Sequence, residues 1–248
     1  MLSNSQNKTK AGLGNEDFRL LWPLPSDNSP LSPNQVHVWS ICLDQPAIIS
    51  KTLFDTLSID EKQRATRFRF DQERQRFMNG RGFLRKILAK YTETTPSSIS
   101  FSYGANGKPA LASSPERQSM SSVTFNLSHT GKLMILAITL GNPVGVDIER
   151  ICWISEMSNI AKNYFSPQEL KQWKQTEASL KLRVFFELWT TKEAVLKREG
   201  LGLTNIRTQK EIPALHTIPI QPTPNCIGCL ALRQKTVDEH YWQWPINQ

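Results

Sequence analysis

"VTFNLSHTGKLMILAITLGNPVGVDIE", residues 123–149, holds three β-like segments separated by two short turns. Thr130-Gly131 parts VTFNLSH (123–129) from KLMILAITL (132–140), and Gly141-Asn142-Pro143 parts that from VGVDIE (144–149). Both are turn chemistry of the kind that joins neighbouring strands. In the last segment, strand alternation sends Val144, Val146 and Ile148 to one face and Gly145, Asp147 and Glu149 to the other. The apolar three anchor the strand. The two acids cannot turn away from each other, so their repulsion asks for compensation. A hard divalent cation such as Mg²⁺ supplies it at a functional site; an exposed strand face decorated with acids is the bland reading.

The segments before this run mix strand and helix. VHVWSICL (36–43) alternates like a strand, and SIDE (58–61) forms a capping box with Ser58 as N-cap and Glu61 reaching back. A helix follows, and a longer one from about Gln72 to Tyr91 is expected to bury Phe77, Leu84 and Leu88. YGANGKPAL (103–111) is a turn leading out through Lys108. After the strands, FSPQEL sets Ser166 as cap, Pro167 at the first helical position and Glu169 closing the box. A strong helix over roughly 179–199 stops at Gly200. From there the chain is strand-like and broken by prolines. The expected class is α+β, divided into a loose polar leader (1–34), an N-terminal half (35–142) and a C-terminal half (143–248).

The 179–199 helix changes the reading of the acidic strand. Leu182, Phe185, Phe186, Trp189 and Leu196 form one apolar stripe, and Glu193 and Lys197 fall at its edge. Trp189, Glu193 and Lys197 are stacked four residues apart along one side. A surface Glu–Lys pair is the ordinary explanation. An acid at a buried margin also suits a third metal carboxylate with a cation beside it, and Trp189 reads as core.

Composition narrows the classes. The chain has 248 residues, no apolar run of transmembrane length and no apolar centre of a secretion signal near its N-terminus, so a cytoplasmic location is expected. Four cysteines do not make a disulfide framework, and Cys226 and Cys229 read as ordinary thiols near a turn. The net charge of +8 points to an acidic partner. Residues 61–90 hold ten Lys or Arg against three acids, which reads as a solvated helical face or an anion site.

VGVDIE, followed some forty residues later by FFELWTTKEAVLKREGLGL (185–203), resembles the signature pair of the 4′-phosphopantetheinyl transferases. GKPAL and FNLSHTG are similar to two further motifs of that family, and RFRFDQERQRFMNGRGFLRKIL (67–88) is similar to its N-terminal region. The matches run in family order, and the length is that of the larger, monomeric type that activates nonribosomal peptide and polyketide synthases. The resemblance implies two similar α+β halves related by a pseudo-twofold axis, with coenzyme A in the cleft between them. It implies transfer of the phosphopantetheine arm from coenzyme A to a serine of an apo acyl or peptidyl carrier protein, with release of 3′,5′-ADP.

By motif, Asp147, Glu149 and Glu193 would hold Mg²⁺ (Mn²⁺ being the alternative ion), and Glu193 would also be the base for the serine hydroxyl. Lys197 would neutralise charge on the phosphates, making Asp147, Glu193 and Lys197 the catalytic group. His129 with Ser128, Lys108 with Pro109, and Arg76 helped by Lys62 or Arg64 would bind coenzyme A. Neither nucleic acid nor membrane is an expected partner. Two rival readings remain open on residues alone. A metal nuclease would use Asp147, Glu149 and Lys197, although its lysine normally follows the acid within one strand motif. A basic nucleic-acid-binding module would use residues 61–90 and leave the three acids without a role.

Overall fold

The computed structural model describes residues 21–25, 30–112, 122–201, 215–233 and 237–244. Most of the leader lies outside the described residues, as do residues 202 and 203 of the second signature. The described residues 21–25 are tied to the body of the protein: the Leu21 amide donates to the Pro222 carbonyl, and the Gln243 amide donates to that of Pro23.

The N-terminal half runs β1 (Gln35–Cys42), α1 (Ala47–Asp55), α2 (Ile59–Ala65), α3 (Asp71–Tyr91), a 3₁₀ turn (Pro96–Ser98), β2 (Phe101–Tyr103), β3 (Pro109–Leu111), β4 (Val123–Thr130) and β5 (Leu133–Leu140). The C-terminal half runs β6 (Gly145–Arg150), α4 (Met157–Tyr164), α5 (Pro167–Gln175), α6 (Lys181–Glu199), β7 (His216–Thr223), β8 (Cys226–Leu232) and β9 (Asp238–Gln243). The class is α+β, as expected. Helices α1 and α4 go beyond the sequence reading: the first has no side-chain cap, and the second has no clear start signal.

Two larger sheets organise the core. One has the order β4-β5-β1-β9, the other β6-β8-β7, while β2 and β3 pair apart as a small hairpin. β9 comes from the end of the chain yet pairs in parallel with β1, His37 opposite His240 and Trp39 opposite Trp242.

Strand alternation divides the core into layers. Trp39, Ile41, Phe125, Met134, Leu136 and Ile138 meet α3 through Phe83, Leu84, Ile87 and Leu88. Each fully buried apolar side chain of this kind stabilises the fold by about 1.5–3 kcal/mol. Val36, Val38, Leu133, Ile135 and Ala137 face the opposite way and meet Val144, Val146 and Ile148 of β6 together with Leu230 and Leu232 of β8. The two sheets therefore share one apolar layer. The predicted faces of VGVDIE hold: its aliphatic residues lie in that layer and its acids turn away from it.

On its other face the β6–β8 sheet carries α6. An added Cβ at Gly145 would collide with the Ala194 carbonyl and come within 2.6 Å of the Arg198 amide nitrogen. Glycine is required because strand and helix backbones touch there. Helix α6 is steadied at its middle by the Lys192–Glu169 ion pair, 2.7 Å long and largely buried. It ends at Gly200, whose φ of 70° lies in the left-handed region favoured for such a terminus.

Two expectations need adjusting. Phe77 is half-buried rather than core; its ring packs on Phe68 at 5.0 Å and lies under the Arg64 guanidinium at 5.4 Å. The basic segment is also less free than its composition suggests. Arg81 and Arg85 pair with the buried Glu61 at 2.6 and 2.7 Å, and Arg85 also donates to the Pro96 and Ile99 carbonyls. Part of that positive charge is internal bracing.

Candidate active site

The site forms where β4 of one sheet meets β6 of the other, under the C-terminal end of α6. Alternation along β4 sets Asn126, Ser128 and Thr130 on one face, and each reaches β6. The Asn126 side-chain oxygen accepts from the Val146 amide at 2.8 Å. The Ser128 hydroxyl donates to Asp147 Oδ1 at 2.9 Å, and that of Thr130 to Glu149 Oε2 at 3.5 Å. These bonds join the two sheets beside their shared apolar layer.

Asp147 is 3% exposed. Its Oδ1 accepts from Lys197 Nζ at 2.7 Å, and the same ammonium donates to Ser128 Oγ at 2.9 Å. Among the described residues its Oδ2 is buried without a hydrogen-bond partner. A buried carboxylate oxygen left unpaired is costly in a low-dielectric setting, and marks a position built to receive something else.

The neighbouring acids carry the same signature. Burial, and then the negative charge of Asp147, push Glu149 up to about 7, against a smaller opposing pull from Lys197. Burial and Asp147 also raise Glu193, again partly offset by Lys197. Among the described residues, Lys197 is thus set against Asp147, Glu149 and Glu193. His129 reaches the surface, yet loss of surrounding water and then the positive charge of Lys197 both lower its pKa.

This donor set fits a divalent cation. It is all oxygen and excess negative, with one buried oxygen unpaired, and a hard ion such as Mg²⁺ or Mn²⁺ relieves those features together. Among the described residues, no three acidic, histidine or cysteine side chains already converge as a ligand cage. In the arrangement observed, Lys197 supplies the positive charge at Asp147.

The remaining expected residues fall into two groups. Lys108 lies at the end of α6, where its ammonium donates to the carbonyls of Lys197 at 2.6 Å, Arg198 at 3.3 Å and Val144 at 3.4 Å. Burial and the nearby Arg198 charge lower its pKa to about 8. Pro109 pairs with Tyr103 in the small hairpin. Arg76, Lys62 and Arg64 have their partners elsewhere. Arg76 makes a two-pronged pair with Asp44 at 2.6 and 2.7 Å, Lys62 lies over the Phe54 ring at 4.7 Å, and Arg64 lies over Phe77.

Cys226 and Cys229 are buried free thiols on opposite faces of β8, one in the layer shared by the sheets and the other beside Ala194 and Val195. That placement suits the reading as ordinary thiols. No helix among the described residues is long and apolar enough to cross a membrane.

Asn126, Thr130 and the turn residue Asn106 went unrecognised in the sequence. For the first two a signal existed: polar residues at every second position of a strand (Asn126, Ser128, Thr130) that also bears Phe125 and Leu127. Asn106, which donates to the Gly200 carbonyl at 2.8 Å, gave no local signal beyond its turn chemistry.

Comparison with known proteins matches residues 143–246 to the 4′-phosphopantetheinyl transferase superfamily and residues 48–140 to the N-terminal region of 4′-phosphopantetheinyl transferases. The chain is 34% identical to the 4′-phosphopantetheinyl transferase HetI of Nostoc sp., over 90% of this chain and 98% of that one. It is 32% identical to a putative 4′-phosphopantetheinyl transferase of Synechocystis sp., over 68% and 67% of the two chains. It is 28% identical to the transferase Sfp of Bacillus subtilis, over 67% and 71%.

Proposed function

The chain belongs to the 4′-phosphopantetheinyl transferase superfamily and has that enzyme activity; from this premise we propose that it moves the phosphopantetheine arm of coenzyme A to a serine of an apo acyl or peptidyl carrier protein, with release of 3′,5′-ADP. The observation that carries the assignment of its site is the meeting of Lys197 and Asp147 at 2.7 Å, with Glu149 and Glu193 close enough for Asp147 to raise both.

The serine oxygen attacks the phosphorus that bears the pantetheine arm. A new P–O bond forms there, and the bond to the bridging oxygen breaks, sending that oxygen away with 3′,5′-ADP. Such a reaction needs positioning and charge stabilisation more than covalent chemistry from the protein. Asp147, Glu149 and Glu193 are the residues that would hold Mg²⁺, and the bound ion would neutralise the pyrophosphate. Glu193 takes the proton of the serine hydroxyl, directly or through a water, and burial together with the negative charge of Asp147 raises its affinity for a proton. Lys197, on the last turn of α6, opposes charge on the bridging and leaving oxygens. Ser128 orients that ammonium, and His129 beside it contacts a phosphate. Arg76 exchanges its exposed partner Asp44 for the adenosine end of coenzyme A, with Lys62 or Arg64 assisting.

The two halves, 35–142 and 143–248, form a pseudo-twofold pair around the cleft in this reading. It is supported by each half laying its longest helix, α3 or α6, on one face of a sheet and giving the other face to the shared layer. The protein acts as a monomer, in the cytoplasm. Removal of divalent ions tests the chemistry: chelation should stop conversion of an apo carrier and readdition of Mg²⁺ should restore it, whereas conversion at full rate in chelator would remove the metal from the scheme.

A further inference from the structure

The turn of the β2–β3 hairpin reaches across the molecule to α6. Asn106 Nδ2 donates to the Gly200 carbonyl at 2.8 Å, and Lys108 Nζ donates to those of Lys197, Arg198 and Val144. A helix leaves its last four carbonyls without internal partners, and a cation there also meets the negative end of the helix dipole. In α6 those carbonyls belong to the turn that carries Lys197. The fourth carbonyl, that of Val144, belongs to the strand segment leading to Asp147.

We infer that the Asn106–Lys108 turn is a clamp that sets the last turn of α6 against β6, and that Lys108 is a positioning residue for Lys197 rather than a contact of coenzyme A.

The donor inventory supports this assignment. An ammonium has three N–H groups, and three carbonyls lie at 2.6–3.4 Å around this one. The turn is itself braced: the Gly104 amide donates to the Lys108 carbonyl at 3.0 Å and the Gly107 amide to that of Gly104 at 2.9 Å. Gly107, at φ 76°, supplies the left-handed backbone the turn requires. The Lys197 backbone is held from the other side as well, because the Gly200 amide donates to its carbonyl at 3.3 Å. The β6–α6 contact at Gly145 leaves little freedom below. Lys108 therefore fixes where the Lys197 side chain begins.

This inference rests on the proposed role of Lys197, so its test has one arm that needs turnover and one that does not. Lys108→Met keeps the apolar stem and removes the charge; Asn106→Ala, at an exposed position, removes one hydrogen bond at little risk to folding. For Lys108→Met, kcat per coenzyme A-binding site should fall by about 10-fold or more with KM for coenzyme A changed less than about 2-fold, the split that marks loss of an interaction made in the transition state. Amide hydrogen exchange at residues 196–201 should speed up in the same variant. Asn106→Ala should move both readouts in the same direction by a smaller factor, about 2–5-fold, as loss of one hydrogen bond allows. A rise in KM with kcat and exchange unchanged would make Lys108 a ligand contact and overturn the clamp. Faster exchange with kcat unchanged would reduce it to scaffolding and overturn the positioning role. If the wild-type protein did not transfer at all, the role of Lys197 would fall, while the exchange arm would still report on the clamp.

Discussion

Lys197 Nζ lies 2.7 Å from Asp147 Oδ1, although fifty residues separate them and they sit on different kinds of element. They meet because β6 and α6 touch backbone to backbone at Gly145, two residues before Asp147, against Ala194 and Arg198, which lie on either side of Lys197 in α6. The ion pair occupies one carboxylate oxygen and leaves the other buried without a partner among the described residues.

Replacing Asp147 with asparagine keeps the shape and removes the charge. Carrier modification should drop by about 10²–10³-fold, the usual cost of removing a preorganised electrostatic group. Circular dichroism and thermal unfolding should show a folded protein, since a repulsion with Glu149 and Glu193 is relieved. Full activity in Asp147→Asn would remove this residue from the chemistry.

Lys197→Ala separates catalysis from binding. If its charge acts on the leaving oxygens, kcat should fall by about 10²-fold with KM for coenzyme A within a few-fold. Steady-state kinetics with varied coenzyme A decides it. The opposite split would move Lys197 to the binding group.

The strand–helix contact can be probed with glycines. Gly145→Ala should force α6 away from β6 and cost about 1–3 kcal/mol or more, as overpacking does, with activity lost in parallel. Gly80→Ala, where an added Cβ would make ordinary contacts at 3.5–3.6 Å on α3, should be neutral or stabilising by up to about 1 kcal/mol through helix propensity. Denaturant unfolding of both variants checks the contrast; an unperturbed Gly145→Ala protein would contradict the close approach.

The raised Glu149 makes stability pH-dependent in metal-free protein. Its carboxyl titrates near 7 in the folded state, against 4.5 ordinarily. Between those values the folded protein holds a proton that the unfolded chain has released, so this group's contribution declines as pH rises through about 4.5 to 7. His37 runs the other way. Burial, then the charge of His240, lower it from 6.5 to about 4 against the pull of Asp238, so its contribution is lost as pH falls through that range. The two offset each other, which is why the useful quantity is wild type minus Glu149→Gln. That difference should slope downward between pH 4.5 and 7, and added Mg²⁺ should flatten it. A slope of zero without metal would mean Glu149 is not held buried beside the charge of Asp147.

Much of the site was legible before the structure. VGVDIE declared its two faces through alternation, and Glu193 and Lys197 betrayed themselves at the margin of an apolar helical stripe. Both signals are local periodicities. The α6 terminus was legible for the same reason, because Gly200 announces a left-handed residue. Less accessible were contacts made by joining distant segments. The pairing of β9 with β1 depends on the end of the chain returning to its start, and no short-range pattern encodes that. The same holds for Lys108: the residue was singled out, but the α6 carbonyls it meets lie 89 and 90 positions on. The basic segment misled in part, because charge density does not reveal that Arg81 and Arg85 answer the buried Glu61.

Mass spectrometry of an apo carrier protein incubated with this chain, coenzyme A and Mg²⁺ tests the central claim most directly. The predicted result is a carrier that gains one phosphopantetheine on a single serine, with 3′,5′-ADP appearing in equal amount and the gain slowed by about 10²–10³-fold with Asp147→Asn. Carriers of the fatty-acid, polyketide and peptide type that all remain unmodified by the wild-type protein would contradict it.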